Sequence, residues 1–155
     1  MVMKHPPSNL RKSYADTLKR LRETSGLNQE ELARRMNAHK SFVSHVERAA
    51  QNITIETVQR YFDALFPPTQ GERPQVSWKE AVGGRIRFVR ERQDITREAL
   101  AGATGFSIVF LMHLEFGETN TSLDRLDRIA EALSVDGRWL LTGENLDETP
   151  FIPLD

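Results

Sequence analysis

Between Gln29 and Asn52 the chain gathers His39, Lys40, Ser41, Ser44, His45 and Arg48, side chains that donate or accept hydrogen bonds and in part carry positive charge. Residue types of this kind suit the binding of polar and anionic groups better than bond cleavage, which needs a nucleophile beside a base or paired carboxylates. His39 and His45 stand six apart, and the lone His5 and His113 join them in no set with Cys or paired carboxylates that could hold a metal. A Gly-rich phosphate loop, a nucleophile elbow and a zincin helix are all missing, and the acids fall at pairing distance from Arg and Lys on helix surfaces. No catalytic site, metal or small-molecule cofactor is expected.

Two short helices must position those side chains. Leu32, Ala33 and Met36 recur at helical period, and after a break at Asn37 so do Val43 and Val46, with Ala38 between the two stripes. Asn28 is placed to cap the first helix with Glu31 three residues on, and His39 to Ser41 open the second with polar groups. Asn37 tolerates the left-handed conformation of a sharp reversal, and Ala33 is small enough for two axes to cross closely. The spacing predicts a helix-turn-helix. An amphipathic helix over 13–25 precedes it, with Tyr14, Leu18 and Leu21 inward and Gly26 as its stop. Closing helices over 53–66 follow, carrying Ile55, Val58, Phe62 and Leu65 after Thr54 as a cap.

From Leu18 to Leu65 the chain resembles the Cro/cI-type (xenobiotic-response-element) helix-turn-helix family of transcriptional regulators. The residues that carry the likeness are Leu18, Leu21-Arg22, Gln29-Glu30-Glu31-Leu32-Ala33, Val43, Val46-Glu47-Arg48 and Thr54-Ile55-Glu56-Thr57-Val58. The family usually has Gly where Asn37 and Ala49 stand. The resemblance implies that Gln29 bonds a backbone phosphate and that Arg22 pairs with Glu47 as a device for fold specificity. It also implies that Lys40, Ser41, Ser44 and His45 lie where bases are read. The expected DNA-binding set is Gln29, His39, Lys40, Ser41, Phe42, Ser44, His45, Arg48 and Asn52. Lys40 suits guanine O6 and N7 or a phosphate, and Arg34 and Arg35 suit either a phosphate or a solvated face.

The pattern returns at an offset of 68 residues. Leu21-Arg22 maps to Val89-Arg90, Leu32-Ala33 to Leu100-Ala101, Asn37 to Gly105, Val43 to Leu111, and Val46-Glu47 to Leu114-Glu115. Repetition together with resemblance implies an all-α chain of two tandem five-helix lambda-repressor-like helix-turn-helix domains, Arg90 and Glu115 repeating the ion pair, with Trp139 and Leu140 closing the core. Boundaries are expected at 1–13 for an arm, 14–66 for the first domain, 67–76 for a linker, 77–144 for the second domain and 145–155 for a tail. Lys4, Arg11 and Lys12 of the arm could reach phosphates, and Phe151, Ile152 and Leu154 of the tail could lie on a neighbouring surface.

The second copy replaces the polar positions by Ser107, Ile108, Val109, Phe110, Met112 and His113. Surplus apolar groups usually mark a protein contact, so Ile108, Val109, Phe110, Met112 and His113 are expected to form a dimer or partner interface. Two alternatives stand beside that reading: contact with thymine methyls, and packing against the first copy of the same chain.

The formal net charge is −1, with 39% hydrophobic and 28% charged residues and no Cys, the balance of a soluble globular chain. Residues 1–76 hold 12 Lys and Arg against 8 Asp and Glu, or +4, and residues 77–155 hold 9 against 14, or −5. Positive charge thus gathers with the clean motif, as phosphate binding requires. No apolar run reaches the roughly 18 residues of a membrane helix, which predicts a cytoplasmic protein. The expected function is sequence-specific DNA binding as a transcriptional regulator, a repressor acting as a homodimer on a pseudo-palindromic operator. The alternative is an antitoxin-like or anti-activator protein that captures another regulatory protein through the second domain.

Overall fold

The computed structural model describes residues 9–67 and 76–143. Within them the chain forms α1 (Asn9–Thr24), α2 (Gln29–Arg35), α3 (Lys40–Glu47), α4 (Ile55–Leu65), α5 (Trp78–Arg92), α6 (Arg97–Thr104), α7 (Ile108–Glu115), α8 (Leu123–Leu133) and α9 (Gly137–Thr142). No strand occurs among the described residues. The first repeat shows α1 to α4 and the second α5 to α9; the stretch matching α9, 69–74, lies outside the described residues. Residues 53–66, expected to form more than one helix, form α4 alone.

Local chemistry accounts for the helix ends. Asn28 and Glu31 make a reciprocal capping box, Asn28 Oδ1 accepting from the Glu31 N–H at 2.8 Å and Glu31 accepting from the Asn28 N–H at 3.0 Å. Thr54, Ser77, Thr96, Ser107 and Ser122 each accept from a backbone N–H at the start of the helix that follows. The turn between α2 and α3 passes through Asn37 at φ 53°, and its counterpart Gly105 adopts φ 78°. Ala49, where Gly117 stands in the second repeat, is held at φ 55°. A side chain strains that conformation, and glycine does not.

Each repeat closes on an apolar centre: Leu18, Leu32, Val43, Ile55 and Val58 in the first, and Ile86, Leu100, Leu111, Leu123 and Leu126 in the second, all buried. Gly83 lets α5 and α7 touch, since a Cβ there would sit 2.1 Å from the Leu114 carbonyl oxygen. The two centres merge into one cluster with Leu10, Phe62, Trp78 and Leu140, and the Phe62 and Trp78 rings lie 4.9 Å apart between centroids.

The seam between repeats obeys the same 68-residue offset as the sequence. Thr54 and Ser122 form an isolated antiparallel bridge, with the Ile55 N–H donating to Thr121 O at 3.0 Å and the Leu123 N–H donating to Ile53 O at 2.9 Å. Around it, Asn120 Oδ1 accepts from the Glu56 N–H and Asn52 Oδ1 from the Asp124 N–H, both at 3.3 Å. Further out, the Leu10 N–H donates to Asp127 and the Trp78 N–H to Gln59, while Arg11 pairs with Asp124 at 3.5 Å and Lys79 with Glu56 at 3.3 Å. Every one of these contacts has a partner generated by adding or subtracting the repeat offset. The two halves are therefore paired about a pseudo-two-fold axis through Thr54 and Ser122.

That pairing corrects two expectations. Helix α1 begins at Asn9, so 9–13 are helical and not part of an arm, because Leu10 is buried at the seam and its N–H finds Asp127 there. Arg11 is buried against Asp124 and does not point to solvent. Lys4, the linker residues 68–75 and the tail residues Phe151, Ile152 and Leu154 lie outside the described residues.

Candidate nucleic-acid interface

Helix α3 turns Val43, Val46 and Glu47 inward and leaves His39, Lys40 and Ser41 exposed, with Ser44 and His45 half-buried beside them. The outward face is therefore polar over two turns. Phe42, expected with the exposed set, is half-buried against the core, a correction that follows from a stripe wide enough to take in the neighbour of Val43. Arg48, exposed at the end of the helix, donates from Nε to Ser44 O at 3.3 Å. Asn52 is exposed and bonded into the seam. His39 occupies the N-cap position with no side-chain cap, unlike its counterpart Ser107.

Behind α3 lies the group that fixes its angle. Glu47 receives Arg22 Nε at 2.5 Å and Arg22 Nη2 at 3.1 Å, the Tyr61 hydroxyl at 2.6 Å and Gln29 Nε2 at 2.9 Å, while Arg22 Nη1 reaches Leu27 O at 2.8 Å. Helices α1, α2, α3 and α4 thus meet on one carboxylate. Burial pushes the Glu47 carboxyl up, and the hydrogen bonds from Arg22, Tyr61 and Gln29 more than reverse this, holding it below the ordinary carboxylate range. Hydrogen bonding to Glu47 raises Arg22, and burial followed by Glu47 raises Tyr61. Gln29 spends one amide hydrogen on Glu47, and its other remains for a ligand.

The second repeat builds the same group with a different charge. Arg90 Nε and Nη2 both donate to Glu115, Nη2 at 3.3 Å, and Arg90 Nη1 reaches Ile95 O at 2.9 Å. Arg97, at the place of Gln29, donates to Glu115 at 2.5 Å, and Ile129 takes the place of Tyr61. Sequence reasoning missed Tyr61, whose hydroxyl is invisible in an apolar periodicity. It also missed Asn120, although its identity with Asn52 at the repeat offset was a readable signal.

On α7, Ile108 is 44% exposed and Val109 60%, whereas Phe110 and Met112 are half-buried. Phe110 packs on the core with its ring 5.5 Å from that of Phe106, so the four surplus apolar groups reduce to two well-exposed ones. His113 is half-buried with Nδ1 2.5 Å from Glu118. Arginines gather at both ends of the helix. Arg125 and Arg128 lie over the Phe106 ring at 5.9 and 4.7 Å, and Arg87 and Arg97 over Phe116 at 5.9 and 5.5 Å. No group of three His, Cys, Asp or Glu among the described residues could hold a metal, and no described helix is long and apolar enough to cross a membrane.

A helix held across a tight turn on a buried Arg–Glu clamp, built twice in one chain with a polar outer face in the first copy and an apolar one in the second, defines a tandem helix-turn-helix protein. Comparison with known proteins agrees. A family model described as "Helix-turn-helix domain" matches residues 13–66, and another described as "Helix-turn-helix" matches 86–140. A protein of Sinorhizobium fredii (strain NBRC 101917 / NGR234) named "Uncharacterized HTH-type transcriptional regulator y4dJ" is 34% identical over 73 residues, 47% of this chain and 92% of that protein. The relative therefore has length for one such unit where this chain has two. No solved structure matches. The chain belongs to the Cro/C1-type helix-turn-helix family and is a DNA-binding transcription regulator.

Proposed function

We propose that the chain regulates transcription by sequence-specific binding of duplex DNA, with α3 in the major groove. Lys40 and Ser41 then meet base edges, Ser44 and His45 extend the contact, and Gln29, His39, Arg48 and Asn52 reach flanking phosphates. The observation that carries this reading is the open polar face of α3 standing on the four-helix clamp at Glu47. Repression is the regulatory sense this reading favours, because occupying a site is enough to exclude other proteins from it.

Selection on random duplexes followed by mobility shifts tests the proposal. A preferred sequence should emerge, and Lys40→Ala should weaken binding to it with no change in thermal midpoint. A base contact of this kind is worth about 1–3 kcal/mol. Selection that yields no preferred sequence would reject the reading.

A second reading, capture of a partner protein or of a second copy through α7, draws on the exposure of Ile108 and Val109. Complete burial of such a side chain is worth about 1.5–3 kcal/mol, so covering the remaining half of each yields about 1.5–3 kcal/mol together. Association alone costs about 4–15 kcal/mol. The α7 face by itself therefore makes a weak chain-to-chain interface.

A further inference from the structure

We propose that one chain is a built-in pseudo-dimer whose ligand is a single non-palindromic duplex site, α3 reading one half and α7 the other. This rests on the reading of α3 given above and extends it to the second repeat.

The first support is the symmetry of the seam. Reciprocal bonds at Ile53, Ile55, Thr121 and Leu123, and again at Asn52 and Asn120, relate the halves by a pseudo-dyad. A two-fold operation keeps α3 and α7 at the same height along its axis. That is the arrangement by which dimeric helix-turn-helix proteins address two half-sites about one helical turn apart. Here both units come from one polypeptide, so assembly of the pair does not depend on protein concentration.

A second support lies in the surfaces. Neither reading face is used in the seam: Lys40 and Ser41 are exposed on α3, as Ile108 and Val109 are on α7. Arg125 and Arg128 at one end of α7, and Arg87 and Arg97 at the other, supply cations where a phosphate backbone would pass. Of these, Arg87 also pairs with Glu91 at 2.9 Å and Arg97 with the buried Glu115 at 2.5 Å. Part of the acidity of the second half falls outside the described residues. Of its 14 acids, 4 fall in 144–155, so residues 77–143 hold 9 basic against 10 acidic residues, or −1.

The halves of the site should differ as the helices do. Lys40, Ser41 and Ser44 present donors and acceptors to base edges, whereas Ile108, Val109 and Met112 offer apolar contact to thymine methyls. The expected ligand is a bipartite duplex, mixed in sequence under α3 and thymine-bearing under α7.

The test uses the full chain. A consensus is selected from random duplexes, and native mass spectrometry counts chains on it. One chain per duplex is expected, on a non-palindromic consensus with centres about 10 base pairs apart. Lys40→Ala and Val109→Asp should each weaken binding about tenfold and erase preference in a different half, with thermal midpoints unchanged. Two chains on a palindrome would overturn the proposal while leaving α3 as a reader. So would a consensus confined to one half that Val109→Asp does not affect. Absence of any preferred sequence would instead reject the reading of α3 on which it rests.

Discussion

Replacing Glu47 by Leu removes the acceptor on which Arg22, Tyr61 and Gln29 converge and leaves Arg22 with Leu27 O and, at 3.9 Å, the exposed Glu23. Tyr61 keeps Leu18 O at 3.2 Å, and Gln29 is half-buried and can turn to water, so the stranded guanidinium dominates the loss. Breaking a buried pair on one side costs about 3–5 kcal/mol. In a chain of this size that lowers the thermal midpoint by about 10–15 °C, at about 3 °C per kcal/mol. The paired substitution Arg22→Met with Glu47→Leu removes both charges and should return to within about 1 kcal/mol of the parent.

Urea unfolding of the four proteins of this cycle, followed by circular dichroism and by Trp fluorescence, measures the coupling. Both tryptophans, Trp78 and Trp139, lie in the second repeat. Because the repeats share one core, fluorescence should report the loss caused by Glu47→Leu at the same urea concentration as dichroism. A single-variant loss under about 1 kcal/mol, or a double variant as unstable as the sum of the singles, would refute the electrostatic reasoning. Separate transitions by the two probes would refute the shared core.

Three further outcomes are expected. Gly83→Ala places a Cβ 2.1 Å from Leu114 O and 2.9 Å from Glu115 O, so α5 and α7 must separate; a loss of about 2–3 kcal/mol in urea is expected, and a loss under about 0.5 would contradict the close approach. Ala49→Gly relieves a left-handed alanine worth about 1–2 kcal/mol against about 0.4–1 kcal/mol of added freedom in the unfolded chain, so the thermal midpoint should rise by a few degrees. Glu47 has a lowered pKa in the fold, so its contribution is present above the unfolded carboxylate value of about 4.3 and is lost as pH falls through the lower folded value. The stability gap between the parent and the paired Arg22→Met, Glu47→Leu variant should move against the parent as pH drops from about 5 to 3, and a constant gap would contradict the assignment.

Much of a single repeat was legible because its information is local. The stripe Leu32, Ala33, Met36, the turn at Asn37 and the caps at Asn28 and Thr54 lie within a few residues of what they organise. The repeat itself was visible as matched residue types at a fixed offset. Pairing of the repeats was not: it rests on backbone groups of Ile53 and Thr121, which carry no side-chain signal, and on the amides of Asn120 and of Asn52, the latter read as a phosphate contact. The start of α1 was missed for the same reason, since the partner of Leu10 N–H is Asp127, far along the chain. Counting Phe110 and Met112 as free apolar surface overstated the α7 face, because an eight-residue helix at the core buries more than the narrow stripe that spacing reveals.

The pairing can be measured without DNA. The chain has no Cys, and Thr54 and Ser122 face each other across a non-hydrogen-bonded antiparallel bridge, where Cα atoms lie about 4.5 Å apart and suit a disulfide. Thr54→Cys with Ser122→Cys gives up two helix caps at about 1 kcal/mol each, a tolerable loss. Mild oxidation followed by mass spectrometry and a non-reducing gel should give a monomer closed by one internal disulfide, formed equally well at high dilution. Free thiols that resist oxidation, or covalent dimers that vanish on dilution, would contradict a chain folded as its own pseudo-two-fold partner.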